Sequence, residues 1–192
     1  MTSRKGTLFL VLGPSGSGKG VVMQYLKRTF PDAVFPVSCT TRSPRPGERD
    51  GEVYYFVSRE EFKKKIHNGE FLEYAVVHHD NYYGTLKKQI VDALEDGKMV
   101  IREVDMQGVA SIREKLGREN TCAVFLTVPS WDVLKERITR RHPENNEEMA
   151  KREESFKKEM EFAKTCDYVI ASREGEQDRM CQKVAEIIRR RS

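Results

Sequence analysis

The stretch Leu8-Phe9-Leu10-Val11-Leu12-Gly13-Pro14-Ser15-Gly16-Ser17-Gly18-Lys19-Gly20 decides how the rest of the chain is read. Its first five residues are uncharged and apolar, as in a strand buried on both faces of a parallel sheet. A glycine-rich turn follows, and then a helical period at Val22, Tyr25, Leu26 and Thr29. Strand, glycine loop, lysine and helix, in that order, form the context of a phosphate-binding loop. Gly13, Gly16 and Gly18 allow backbone conformations closed to other residues, so their N–H groups can turn inward. Those groups, the positive helix end and Lys19 together cradle a polyphosphate. An ordinary glycine-rich turn is the bland alternative, and the flanking strand and the lysine argue against it. One position departs from the pattern. Ser or Thr should follow the lysine, and Gly20-Val21 stands there instead. The loop is built for phosphate without its usual magnesium hydroxyl.

Working outward, 192 residues suit one domain with inserted subdomains. Charged residues at 33% beside 38% hydrophobic ones describe a globular chain rather than a disordered one. The net charge of +4 is mild, so the positions of the arginines must decide between nucleic acid and small polyanions. Cys39, Cys122, Cys166 and Cys181 are scattered, without a C-x-x-C pair, and His67, His78, His79 and His142 do not cluster. This disfavours disulfides and a zinc site, and fits a reducing cytoplasm. The first six residues lack a signal-peptide core, and no apolar run nears membrane-spanning length. A cytoplasmic protein without membrane contact is expected.

In chain order, residues 33–38 read as a short extended run weakened by Pro36. Residues 38–51 hold two prolines, two glycines and three arginines, so they cannot be a core element. A solvated loop is one reading. The other is a stiff loop presenting Arg42 and Arg45, whose planar forks suit phosphate oxygens. Tyr54-Tyr55-Phe56 is β-prone, and Ser58-Arg59-Glu60-Glu61 is a capping box for a helix with Phe62 and Ile66 inward. Residues 71–78 read as a strand, 81–85 as a turn, and 86–96 as a helix closing at Gly97. Residues 99–105 form the second central strand, with Glu103 and Asp105 two apart on one face near its carboxyl end, where open α/β sheets bind ligands. Arg102 inside that strand has no explanation in the sequence. A helix (108–116), a third strand (123–128) and a helix capped by Ser130 follow, the last with Trp131, Leu134 and Ile138 inward. Arg137, Arg140, Arg141 and the charged run to Lys164 read either as a solvated helical hairpin or as a mobile lid bearing arginines. Residues 167–170 form a fourth strand, and the terminal helix carries Met180, Val184, Ile187 and Ile188 on one face. Its basic end, Arg189 to Arg191, suits a helix C-terminus better than a nucleic-acid patch.

Four segments taken together, Gly13 to Lys19, Ser38-Cys-Thr-Thr-Arg42-Ser-Pro-Arg45-Pro-Gly-Glu48, Asn81-Tyr-Tyr-Gly-Thr85 and Glu103-Val-Asp105-Met-Gln-Gly108, resemble the guanylate kinases over essentially the whole chain. The resemblance implies an α/β fold: a P-loop NTPase-type parallel sheet flanked by helices (1–37, 98–130 and 167–192), a small mixed α/β GMP-binding insert (38–97) and a helical lid (131–166). It also implies transfer of the γ-phosphoryl group of ATP to GMP with Mg²⁺. Gly13, Pro14, Ser15, Gly16, Ser17, Gly18, Lys19 and Gly20 would bind ATP, with Lys19 on its β- and γ-phosphates. Arg42, Arg45, Tyr54 and Tyr83 would hold the GMP phosphate, and Ser38, Glu73, Thr85 and Asp105 would surround guanine. Arg137, Arg141 and Arg152 would reach the phosphates in flight. Magnesium would be held by the phosphates and water, with Asp105 or Glu103 in its outer shell.

Chemistry fits these implied roles. Phosphoryl transfer asks mainly for positioning and positive charge, and a carboxylate such as Glu73 can accept both N1–H and the amino group of guanine. Gly20-Val21, Glu103 in place of aspartate, Val53 before the tyrosine, an extra residue in 77–81 and Ser172-Arg173-Glu174 beside the donor adenine depart from the family pattern. A non-catalytic guanylate-kinase-like interaction module and a kinase for another monophosphate are the alternatives. Retention of Lys19, Arg137, Arg141 and Arg152 argues against the first. Monomer and dimer are both compatible with the sequence.

Overall fold

The computed structural model describes residues 6–77, 80–141 and 145–192, with the side chains of Val77 and Arg141 excluded. The apolar run forms β1 (Leu8–Leu12), every residue of it buried, and α1 (Lys19–Thr29) springs from the glycine loop. After α1, Val34 forms a single parallel bridge to Val100, donating its N–H to Met99 O at 2.8 Å and accepting from Ile101 N–H at 2.9 Å. Then come β2 (Ser38–Thr40), β3 (Tyr54–Phe56), α2 (Arg59–His67), β4 (Phe71–Val77), β5 (Asn81–Leu86) and α3 (Lys87–Glu95). The chain continues through β6 (Val100–Glu103), α4 (Met106–Leu116), a short 3₁₀ turn, β7 (Thr121–Thr127), α5 (Trp131–Arg141), α6 (Asn146–Ala163), β8 (Tyr168–Ala171) and α7 (Gln177–Arg191).

The central sheet is wholly parallel in the order β6-β1-β7-β8. Alternate residues of its strands feed two apolar layers. Phe9, Val11, Ile101, Val124 and Leu126 meet Val22 and Leu26 of α1 and Met180, Val184 and Ile188 of α7. Leu8, Leu10, Leu12, Val100 and Phe125 meet Ile90 and Leu94 of α3, Val109 and Ile112 of α4, and Ala163 of α6. Burial on both faces explains why β1 and β7 read as near-continuous apolar runs. Among the described residues no helix is long and apolar enough to cross a membrane.

A second sheet, order β3-β2-β5-β4, is mixed: β2 and β3 are parallel, and the other pairs antiparallel. Its own core is Cys39, Phe62 and Phe71, the two rings stacked with centroids 4.4 Å apart. Gly84 permits that stack, because a Cβ there would sit 2.9 Å from both rings. The Ser58 capping box forms as expected, Ser58 Oγ accepting from Glu61 N–H and Glu61 Oε2 from Ser58 N–H.

Two expectations are corrected. Residues 81–85 are strand rather than turn. The ladder pairs Val77 with Asn81 and runs on to Leu86, while Asp80, at φ 62°, takes the left-handed conformation a reversal needs. Asp105 is not a strand residue sharing a pleat face with Glu103. The strand ends at Glu103, and Asp105 caps α4, its Oδ1 accepting from Gly108 N–H at 2.6 Å. His78, His79 and His142 lie outside the described residues.

Candidate active site

The carboxyl ends of β1 and β6, the inner face of the second sheet and the side of α6 enclose a cleft of about 820 Å³. The glycine loop is its floor. Gly13, at φ 143°, brings the loop onto β7 so closely that a Cβ would lie 2.1 Å from Leu126 O. Gly18 caps α1 in the left-handed region without a side-chain acceptor. The first N–H groups of α1 are therefore left for a ligand, at the positive end of the helix dipole. Lys19 Nζ folds back over the loop and donates to Gly13 O at 2.6 Å and Pro14 O at 3.1 Å. Burial pulls its pKa below the usual lysine value, against the opposing pull of Glu103 and then Glu159. Ser17 is wholly buried and its hydroxyl has no hydrogen-bond partner among the described residues.

At the opposite end β4, β2 and β6 converge. Glu73 Oε1 accepts the Thr85 hydroxyl and, at 3.1 Å, Arg102 Nη2. The same Nη2 donates to Ser38 Oγ at 3.2 Å. Burial lowers the pKa of the Arg102 guanidinium and Glu73 opposes that shift; an arginine nonetheless stays charged. Tyr54 and Tyr83 meet edge to face, centroids 5.7 Å apart, at the cleft wall. Arg42 lies 5.5 Å from the Tyr54 ring centroid and 5.6 Å from that of Phe56. Its Nη2 donates to both oxygens of Glu48, at 2.9 and 3.1 Å. Glu48 raises the Arg42 pKa, and the carboxyl of Glu48 is itself held low, first by the Arg45 N–H and also by Arg42.

Several expected site residues therefore share one cleft: Gly13, Ser15, Lys19, Ser38, Tyr54, Glu73, Tyr83, Glu103 and Asp105 all line it. Thr85 is fully buried and reaches the cleft only through Glu73. Arg45 is exposed. Arg137 lies against the loop, with Nη1 donating to Gly16 O (3.3 Å) and Ser172 Oγ (3.0 Å), and Nη2 to Ser172 O (3.0 Å). Arg152 is a half-buried residue of α6, and the side chain of Arg141 is outside the described set.

Residues 5–191 match the guanylate kinase family profile. This chain belongs to the guanylate kinase family. It is 39% identical to a guanylate kinase of Thermotoga maritima, over 88% of this chain and 80% of the relative. It is 41% identical to that of Helicobacter pylori, over 90% and 82%. The crystal structure of the Anaplasma phagocytophilum guanylate kinase superposes with a TM-score of 0.72 at 28% identity, covering 99% of this chain and 88% of that one. The chain is accordingly a guanylate kinase enzyme, an α/β phosphotransferase that uses ATP and phosphorylates GMP.

Two cleft residues of this guanylate kinase were not picked out as site residues from sequence. Glu159 projects from α6 into the same cleft; burial raises its carboxyl pKa, with Lys19 opposing and Asp105 reinforcing the shift. Nothing in a helix dense with acids distinguishes it locally. Arg102 did carry a signal, a charge within an apolar strand, but its partners lie 29 and 64 residues away.

Proposed function

We propose that ATP lies over the glycine loop and GMP against the second sheet, with the reacting phosphates meeting in the cleft between them. Residues 13–20 take the ATP phosphates, and Lys19 exchanges its two loop carbonyls for the β- and γ-oxygens. Arg42, Arg45, Tyr54 and Tyr83 hold the GMP phosphate. Ser38, Glu73, Thr85 and Asp105 form the guanine pocket, Thr85 acting through Glu73. Arg137, Arg141 and Arg152 supply charge to the phosphates in flight. The working units are the core (1–37, 98–130, 167–192), the GMP-binding insert (38–97) and the lid (131–166). One observation carries this reading: a single cleft holds Lys19 on its floor and Glu73 on its far wall. Two polyanions set between fixed cations, shielded from water, are what phosphoryl transfer requires of a protein.

Mg²⁺ when bound would neutralise charge on the transferring phosphates. The residues present fit an ion that keeps its water. Glu103 and Asp105 line the cleft with Lys19 and can accept from coordinated waters, while neither Gly20 nor Val21 offers a side-chain oxygen. We place the enzyme in the cytoplasm, without nucleic-acid or membrane partners. ADP release measured with AMP, GMP, CMP and UMP as acceptors tests the whole assignment. Turnover should be confined to GMP and depend on Mg²⁺; equal rates with AMP and GMP would refute the pocket.

A further inference from the structure

Among the described residues Arg102 is the one cationic side chain buried in the central sheet. Its side chain is only 10% exposed and its Nε has no hydrogen-bond partner. A charge so placed costs several kcal/mol of desolvation, and an ion pair with Glu73 offsets that cost only in part. As a staple between the two sheets it would be a poor choice beside a well-packed leucine. Its directionality is more informative. One terminal nitrogen, Nη2, donates to both Ser38 Oγ and Glu73 Oε1. A serine hydroxyl can ordinarily accept or donate. Once Arg102 donates to Ser38 Oγ, the Ser38 proton is directed elsewhere, and no described residue takes it. Glu73 Oε2 likewise has no hydrogen-bond partner among the described residues. Ser38, Glu73 and Arg102 all line the cleft.

We propose that Arg102 is a positioning residue for base recognition, turning the Ser38 hydroxyl proton and the free Oε2 of Glu73 toward a 6-oxopurine. The proposal rests on the reading of Ser38 and Glu73 as the guanine pocket. Along its Watson–Crick edge guanine presents the O6 acceptor, then N1–H, then the 2-amino donor. The protein presents the complement, a hydroxyl donor followed by a carboxylate. Adenine places an amino donor at position 6, against a hydroxyl whose directed proton and whose neighbouring Arg102 charge both favour an acceptor there. Arg102 thus biases the one ambiguous group in the pocket and selects by opposing the wrong base's donor.

The test compares the intact enzyme with Arg102→Leu and Arg102→Lys, using GMP, IMP and AMP in steady-state kinetics and calorimetric binding. IMP keeps O6 and N1–H but lacks the 2-amino group. Arg102→Leu should raise KM about 10–100-fold for GMP and IMP alike, leave kcat within about threefold, and narrow the GMP-over-AMP preference at least about tenfold. Arg102→Lys, which keeps a donor and the charge, should recover most of the GMP affinity. If the leucine variant does not fold, the lysine variant alone should show a KM raised severalfold with kcat kept. Unchanged GMP-over-AMP preference in the variants, or a fall in kcat without a rise in KM, overturns the role of Arg102. A wild-type enzyme that does not prefer GMP refutes the guanine pocket itself, and this proposal with it.

Discussion

Replacing Glu73 by Gln changes one oxygen for an NH₂ at the point where the guanine pocket is proposed. The surroundings decide which way the amide turns. Thr85 and Arg102 both donate to Oε1, so the amide oxygen must stay there and the NH₂ takes the place of Oε2. That group faces the cleft, where the donors of guanine would arrive, and a donor then meets donors. A charge-assisted hydrogen bond contributes about 1.5–3 kcal/mol, and an unsatisfied partner costs about 1–3 kcal/mol. We expect a net loss of about 2–4 kcal/mol in kcat/KM for GMP, which at about 1.4 kcal/mol per decade is roughly thirtyfold to a thousandfold. The loss should lie mainly in KM, and it should be smaller for IMP, which lacks the 2-amino donor. Arg102 keeps a neutral acceptor, so the fold should survive, with Tm lowered by a few degrees at about 2–4 °C per kcal/mol. The assay is coupled ADP release with GMP, IMP and AMP, alongside thermal unfolding. A kcat/KM for GMP within about threefold of wild type, or equal losses for GMP and AMP, would refute the reasoning.

Three further outcomes are expected. Lys19→Met should lower kcat by on the order of 10²-fold or more with unfolding unchanged, since among the described residues Lys19 donates only to its own loop, and it faces the cleft; a variant that keeps most of its turnover contradicts the assignment. Val21→Thr should lower the Mg²⁺ concentration giving half-maximal rate, because Val21 is 48% exposed and the added hydroxyl carries little burial cost. If Mg²⁺ dependence moves neither there nor in Gly20→Ser and Asp105→Asn, the ion is held by other groups. Phe62→Ala removes half of the ring stack at the heart of the second sheet, where Phe62 is fully buried. It should cost about 3–5 kcal/mol, seen as a fall in Tm of roughly 6–20 °C; a loss below about 1 kcal/mol would show that the insert does not rest on this stack.

How much of this was legible in the chain depends on the range of each interaction. The phosphate loop was readable because its parts are contiguous: the strand, the turn glycines, the lysine and the helix lie within about one element of each other, and each obeys a local rule. The same holds for the Ser58 capping box, for the inward faces of α5 and α7, and for the double-sided burial of β1. The residues proposed to face guanine were assigned by likeness to a family, not by any local pattern. An isolated glutamate in a strand looks like any other until its neighbours are known.

The three-dimensional arrangement decided the rest. The order β6-β1-β7-β8 sets β1 between strands that begin far along the chain, and hydrophobic periodicity does not specify which strands become neighbours. Residues 81–85 carry turn-like Asn and Gly, yet pairing with β4 makes them strand, because ladder bonds and the close approach at Gly84 outweigh intrinsic preference. Arg137 meets Gly16 of the glycine loop and Ser172, 121 and 35 residues away in the chain. Arg102, inexplicable in its own strand, finds its partners 29 and 64 residues away. Backbone propensity and side-chain period are local and survive in one dimension, whereas partners for buried charge exist only once the sheets have met.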